Sequence, residues 1–126
     1  MVYLVDSSVW AALFLDFDTR HRKAEKIIQK LSGTIYVPYC VLMEVVAILA
    51  YKHSKALADN FIAYVRDNRD LKIINDDAFE EINFYTTIPH QLSFVDVALI
   101  FLSGKLTAKI ITLNKQLERI VKKYNP

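Results

Sequence analysis

Val2-Tyr3-Leu4-Val5-Asp6-Ser7-Ser8-Val9-Trp10 opens the chain with four apolar residues that run into an aspartate, two hydroxyl residues and a helical pattern. A continuous apolar run reads as a strand buried on both faces, which places Asp6 at its carboxyl end. In an open α/β sheet that edge is where ligands bind. Asp6, Ser7 or Ser8 would also serve as a helix N-cap, and on this stretch alone capping is the simpler reading. Whether other acids return to the same edge decides between the two.

Outward from this stretch, helical and strand patterns alternate. Val9–Leu15 continues as a short apolar helix, and Thr19 is placed to cap a second one carrying Ala24, Ile27, Ile28 and Leu31. Gly33 is read as its C-cap. Thr34–Val37 is a second strand closed by Pro38. Val41–Tyr51 is apolar almost all round and is expected to be a buried helix whose only charge is Glu44. Ser54 opens a helix with Leu57, Phe61, Ile62 and Val65 on one face, and Leu71–Ile74 is a third strand. Asp76 or Asp77 caps the next helix, which Pro89 stops. Ser93 begins a helix expected to reach about Ser103, with Gly104 beyond it. Ala108–Leu113 is a fourth strand, and Asn114 leads into a last amphipathic helix. This alternation predicts an α/β fold: a parallel sheet wrapped by helices, with right-handed crossovers.

Composition sets the bounds. The 126 residues fit one domain, 1–126, with 53% hydrophobic and 24% charged residues, the balance of an ordered globular chain. A net charge of +2 neither selects nor excludes nucleic acid, because a local patch matters more than the sum. The single cysteine, Cys40, cannot form an internal disulfide and sits among apolar residues, which suits an inert buried thiol and a reducing, cytoplasmic setting. No apolar run approaches a membrane span, and Asp6 lies where a signal peptide would be apolar. His21, His53 and His90 lack metal-site spacing with cysteine, so zinc is not expected, and His21 reads as a helix-start or packing residue. Ser7 and Ser8 have no histidine nearby in sequence to activate a nucleophile. Asn75-Asp76-Asp77 imitates a receiver-type phosphorylation strand, but the paired acids such a site needs after the first strand are missing. The basic face of Arg20–Lys30 and the set Lys105, Lys109, Lys115, Arg119, Lys122 and Lys123 read as solvated helix faces that could alternatively line an RNA path.

Three acids carry the chemistry. A carboxylate inside an apolar helix pairs, protonates or binds a cation, so Glu44 points to a site or to an ion pair. Asp96 completes a Ser93-x-x-Asp96 capping-box pattern, and the same geometry sets its carboxylate at a helix N-terminus facing the strand ends. Asn114 follows the fourth strand as Asp6 follows the first. If those two strands are neighbours, Asp6, Glu44, Asp96 and Asn114 open onto one crevice. Clustered carboxylates repel one another unless a cation neutralises them. Oxygen ligands select Mg²⁺ or Mn²⁺, ions that promote phosphodiester cleavage.

At these positions the sequence resembles the PIN-domain family, and within it the small VapC-like toxins. The resemblance covers nearly the whole chain. It is carried by Val2-Tyr3-Leu4-Val5-Asp6-Ser7-Ser8, His21 ahead of Ala24, Val41-Leu42-Met43-Glu44-Val45, Ser93-Phe94-Val95-Asp96-Val97-Ala98 and Ile111-Thr112-Leu113-Asn114. The resemblance implies a three-layer fold with a sheet of four or five parallel strands. It further implies a ribonuclease using Mg²⁺ or Mn²⁺, held by Asp6, Glu44 and Asp96, with Ser8 and Thr112 supporting the site by hydrogen bonding. The implied partners are RNA, a small antitoxin protein that blocks the acidic pocket and a second copy of the chain. The family often has an aspartate where this chain has Asn114. An amide removes one negative charge, which favours a single-metal mechanism, with Lys115 adding positive charge beside it. The alternatives are a non-catalytic RNA- or protein-binding module weakened at Asn114, and a DNA nuclease of the flap-endonuclease type, against which the lack of long insertions counts.

Overall fold

The computed structural model describes residues 1–75 and 77–125. Among these the order is β1 (Val2–Val5), α1 (Ser7–Phe14), α2 (His21–Lys30), β2 (Thr34–Pro38), α3 (Tyr39–Lys52), α4 (Lys55–Asp67), β3 (Leu71–Ile74), α5 (Ala78–Thr87), α6 (Phe94–Leu106), β4 (Lys109–Ile111) and α7 (Lys115–Tyr124). The four strands form one parallel sheet in the order β3-β2-β1-β4. β1 is therefore interior, flanked on both sides, and its Leu4 and Val5 are fully buried. The chain builds outward from β1 to β3 and then returns to place β4 on the other side. The carboxyl ends of β1 and β4 thus lie at the point where the strand order reverses, the usual place for a site in such a sheet. Register pairs Val5 with Ile111, and the Asp6 N–H continues the ladder to the Ile111 carbonyl at 2.8 Å.

The core is continuous from the sheet into the helices. Trp10 is fully buried and meets Phe61 and Tyr64 edge-on, at centroid distances of 5.8 and 6.1 Å, while Phe14 packs across the same two rings. Such edge-to-face pairs contribute beyond the area they bury. They clamp α1, and with it the turn that carries Asp6. Cys40 is buried, and among the described residues no helix is long and apolar enough to cross a membrane.

Several local expectations are corrected. Thr19 does not cap α2: Asp18 accepts the Arg20 N–H at 2.8 Å in a turn, and the helix starts one residue after Arg20 with no side-chain cap. Gly33 is not its C-cap, because Leu31 already ends the helix. Gly33 has φ +137°, and a Cβ there would stand 2.1 Å from the Met1 carbonyl oxygen, so glycine is required where β2 approaches the start of β1. α3 is not buried all round. It turns Cys40, Val41, Val45 and Leu49 inward and leaves Tyr39, Met43 and Tyr51 exposed, because only one face has neighbours in α1, α4 and β2.

α6 runs past Gly104 to Leu106 and is ended by Thr107 in the left-handed conformation, φ 51°. The Ser103 hydroxyl donates to the Ala108 carbonyl at 2.6 Å and steadies that unusual turn. β4 is shorter than the apolar run suggested, since Thr112 turns away to the site. Of the two candidate caps for α5, Asp77 accepts the Glu80 N–H, while Asp76 lies outside the described residues.

Candidate metal-binding site at the strand ends

Asp6 caps α1 from an extended backbone conformation and is almost completely buried. Both of its oxygens are engaged. Oδ1 accepts the Ser7 N–H at 2.8 Å, and Oδ2 accepts the Ser8 hydroxyl at 2.9 Å and the Thr112 hydroxyl at 2.8 Å. Each hydroxyl is held in turn by the loop after β4: Leu113 N–H donates to Ser8 Oγ and Asn114 N–H to Thr112 Oγ1, at 3.1 and 2.9 Å. These backbone donors occupy hydroxyl lone pairs and leave the hydroxyl protons for Asp6. Capping and site formation are one arrangement at this position.

Glu44 lies on α3, half-buried, and accepts a hydrogen bond from the Ser7 hydroxyl, which also reaches Asp6 Oδ1 at 3.4 Å. Ser7 therefore links two acids that are 38 residues apart in numbering, Asp6 and Glu44. Sequence reading weighed Ser7 only as a helix cap or an unactivated nucleophile; its only further signal was adjacency to Asp6, and its partner is remote in the chain. Among the described residues no Lys or Arg forms an ion pair with Glu44.

Asp96 occupies the first turn of α6, where its N–H donates to the Ser93 hydroxyl at 3.1 Å as the capping pattern predicts. Its carboxyl is pushed up to about 6, first by burial, then by repulsion from Asp6 and from Glu44, against a lowering hydrogen bond from Ser93. The turn after β1, α3 and α6 thus bring acids close enough for Asp6 and Glu44 to act on Asp96.

Asn114 is linked differently. Its Oδ1 accepts the N–H groups of Gln116 and Leu117, at 3.0 and 3.3 Å, and caps α7. Its N–H is linked to Asp6 by way of the Thr112 hydroxyl. The His21 Nδ1 stands 2.9 Å from the Ala12 carbonyl oxygen, an acceptor, so this nitrogen carries a proton and ties the start of α2 to α1. Within the second basic set, Lys105 pairs with Asp77 and Glu80, each at 3.5 Å.

Carboxylate and hydroxyl oxygens are the donor types that Mg²⁺ and Mn²⁺ take. Among the described residues no three His, Cys, Asp or Glu side chains are drawn together tightly enough to enclose an ion by themselves.

The raised Asp96 carboxyl has a stability consequence. Between its ordinary value of 3.8 and about 6, the folded chain holds a proton that the unfolded chain has released. Metal-free protein therefore loses stability as pH rises through that window. Asp96→Asn is expected to flatten the slope and to stabilise the metal-free protein at neutral pH by about 1 kcal/mol, the full shift being discounted because the carboxyl is only half-buried. Urea denaturation at a series of pH values, wild type against variant, checks this; parallel slopes would contradict it.

The PIN domain family model matches residues 3–123. No curated relative matches the chain. Among solved structures, the fold is similar to Mycobacterium tuberculosis VapC20, described as a Sarcin-Ricin loop cleaving toxin. That match has 21% identity and a TM-score of 0.84 and covers 95% of each chain. VapBC2 from Rickettsia felis, bound to a DNA fragment from its promoter, matches at 16% identity and a TM-score of 0.69, over 95% of this chain and 93% of that one. A toxin-antitoxin complex from Klebsiella pneumoniae matches at 17% identity and a TM-score of 0.65, over 90% and 88%. At these identities the likeness is one of fold.

Proposed function

The chain belongs to the PIN-domain family, and on that premise we propose that it is a metal-dependent endoribonuclease, the toxin of a toxin–antitoxin pair. The observation that carries this reading is the convergence of acids at the strand-order reversal, where Ser7 links Asp6 to Glu44 and the Asp96 carboxyl lies near enough to both to be raised by them. Acids from three separate elements gathered at the usual ligand edge are explained by a cation, and less well by two separate caps at Asp6 and Asp96 with an ion pair at Glu44. Asp6, Glu44 and Asp96 would hold Mg²⁺ or Mn²⁺. Such an ion, when bound, acidifies a water and offsets charge on the phosphate undergoing cleavage.

The rest is the work of the chain's own groups. Ser8 and Thr112 fix the Asp6 carboxylate by donating to Oδ2, and the N–H groups of Leu113 and Asn114 keep those hydroxyls turned that way. Ser7 holds Glu44 facing Asp6. Asn114 supports the site through Thr112 rather than as a ligand. The similarity to the toxin-antitoxin complex from Klebsiella pneumoniae and to VapBC2 from Rickettsia felis supports a small antitoxin protein as partner. RNA as substrate and a homodimer as the working form belong to the same proposal.

The test is Mn²⁺ and Mg²⁺ titration by calorimetry, with RNA cleavage assayed on the same samples before and after EDTA. Binding together with EDTA-sensitive cleavage is expected. Binding without cleavage would favour the second reading, a non-catalytic module, which the capping role of Asn114 Oδ1 makes specific. Absence of binding would sink the metal site.

Asn114→Asp separates charge from structure, because Asp caps a helix as well as Asn does. One added negative charge near the acids is expected to tighten Mn²⁺ binding by about tenfold at low salt, with the melting temperature of the metal-loaded protein rising in step. Unchanged affinity would place residue 114 too far from the ion to matter.

A further inference from the structure

Residues 82–95, Ile82-Asn83-Phe84-Tyr85-Thr86-Thr87-Ile88-Pro89-His90-Gln91-Leu92-Ser93-Phe94-Val95, contain no Asp, Glu, Lys or Arg. They form the second half of α5, the connection and the first turn of α6, and they end directly against Asp96. The acidic site is therefore bordered by a strip free of carboxylates. Phe84 turns inward from it, onto Phe101 at 5.5 Å and Tyr124 at 6.2 Å. Tyr85 and Phe94 do not. Their rings lie 5.6 Å apart with 31° between planes and remain 42% and 39% exposed. Thr86, Thr87, Gln91 and Ser93, close by in sequence, are exposed and uncharged; the Thr86 and Thr87 hydroxyls donate to the Asn83 and Phe84 carbonyls and keep their acceptor lone pairs, and Ser93 caps α6.

We propose that the Tyr85–Phe94 pair is a stacking platform for one unpaired base of single-stranded RNA, seated beside the acidic site. This deepens the ribonuclease reading and rests on it. A polyanion is repelled by Asp6, Glu44 and Asp96, so its approach is easiest over ground that adds no negative charge. There the attraction must come from something other than Lys or Arg. An aromatic face supplies it, because every base has a face to stack, and stacking tolerates sequence. Uncharged hydroxyl and amide groups around the rings suit the polar edges of a splayed base. Bases in a duplex present no free face, so the platform selects single strands, loops or ends. Phe94 and Asp96 both lie in the first turn of α6, so the platform and the site share one end of that helix.

The experiment uses a labelled oligoribonucleotide of about ten nucleotides and the same backbone made abasic throughout, with binding read by anisotropy in Ca²⁺ and cleavage read separately in Mn²⁺. Phe94→Ala is expected to weaken binding of the base-bearing strand by about tenfold and to leave the abasic strand unchanged. Phe94→Leu, which keeps apolar bulk without an aromatic face, should behave like Phe94→Ala, and Phe94→Trp should restore binding. In the cleavage assay KM rises and kcat is retained.

Equal loss on the abasic strand, or wild-type binding by Phe94→Leu, overturns the platform. A wild-type dimer that Phe94→Ala makes monomeric overturns it too, by assigning the surface to a second copy of the chain. Cleavage that persists with no Phe94 effect removes the platform and leaves the nuclease. Base-dependent binding without any cleavage keeps the platform and removes the nuclease. If wild type binds neither strand, the platform falls.

Discussion

Asp6→Asn is expected to abolish metal-dependent RNA cleavage while the protein stays folded. The expected loss is on the order of a thousandfold, beyond the roughly 10- to 100-fold typical of outer-shell partners. Asp6 is the best-fixed acid of the three: buried, with Oδ1 on the Ser7 N–H and Oδ2 on two hydroxyls. Asparagine has the same shape, and its amide oxygen can still accept the Ser7 N–H and cap α1. Its NH₂ group would then face Ser8 Oγ and Thr112 Oγ1, which must rotate their protons away. That rearrangement costs about 1 kcal/mol, the scale of one neutral hydrogen bond. The charge, in contrast, is lost outright. Circular dichroism and thermal melting establish the fold, and cleavage of RNA in Mn²⁺ gives the rate. A folded variant that still cuts would remove Asp6 from the chemistry, and an unfolded one would make capping its main duty.

The sequence shows the frame of this molecule more clearly than its local endings. Hydrophobic run length at Val2–Val5 marked a strand buried on both faces, and that strand lies inside the sheet with β2 and β4 on either side. Strand and helix alternation led to the parallel sheet because crossovers of one hand leave few topologies. Endings were legible only where the cap is local, as at Ser54, Asp77 and Ser93, each accepting an N–H three residues on. They were misread where a distant segment decides. Gly33 answers to the Met1 carbonyl, and Thr107 takes the turn expected of Gly104 because Ser103 and Ala108 bind across it. The apolar circumference of α3 suggested full burial, but nothing along a helix states how many of its faces have neighbours. The acids stood out because a charge in an apolar context is conspicuous. Ser7 did not, since a hydroxyl beside an aspartate looks like a capping residue until Glu44 arrives from α3.

Glu44→Gln is expected to weaken Mn²⁺ binding by about a hundredfold, at or beyond the upper end of what outer-shell changes produce, and to take cleavage down with it. The argument turns on what the glutamine keeps. Its amide oxygen can still accept the Ser7 hydroxyl, so the bridge to Asp6 survives and only the charge goes. Removing that charge also removes one source of repulsion on Asp96, so the Asp96 carboxyl moves back toward its ordinary range and the metal-free protein becomes no less stable. Ser7→Ala makes the opposite change: both charges stay and the bridge goes. A carboxylate left free to turn should bind the ion about tenfold more weakly, the scale of a lost orienting partner. Calorimetry on both variants therefore yields an order. Glu44→Gln falling well below Ser7→Ala makes Glu44 a ligand. The reverse order would make Glu44 the anchor of Ser7, with the ion held by Asp6 and Asp96 alone.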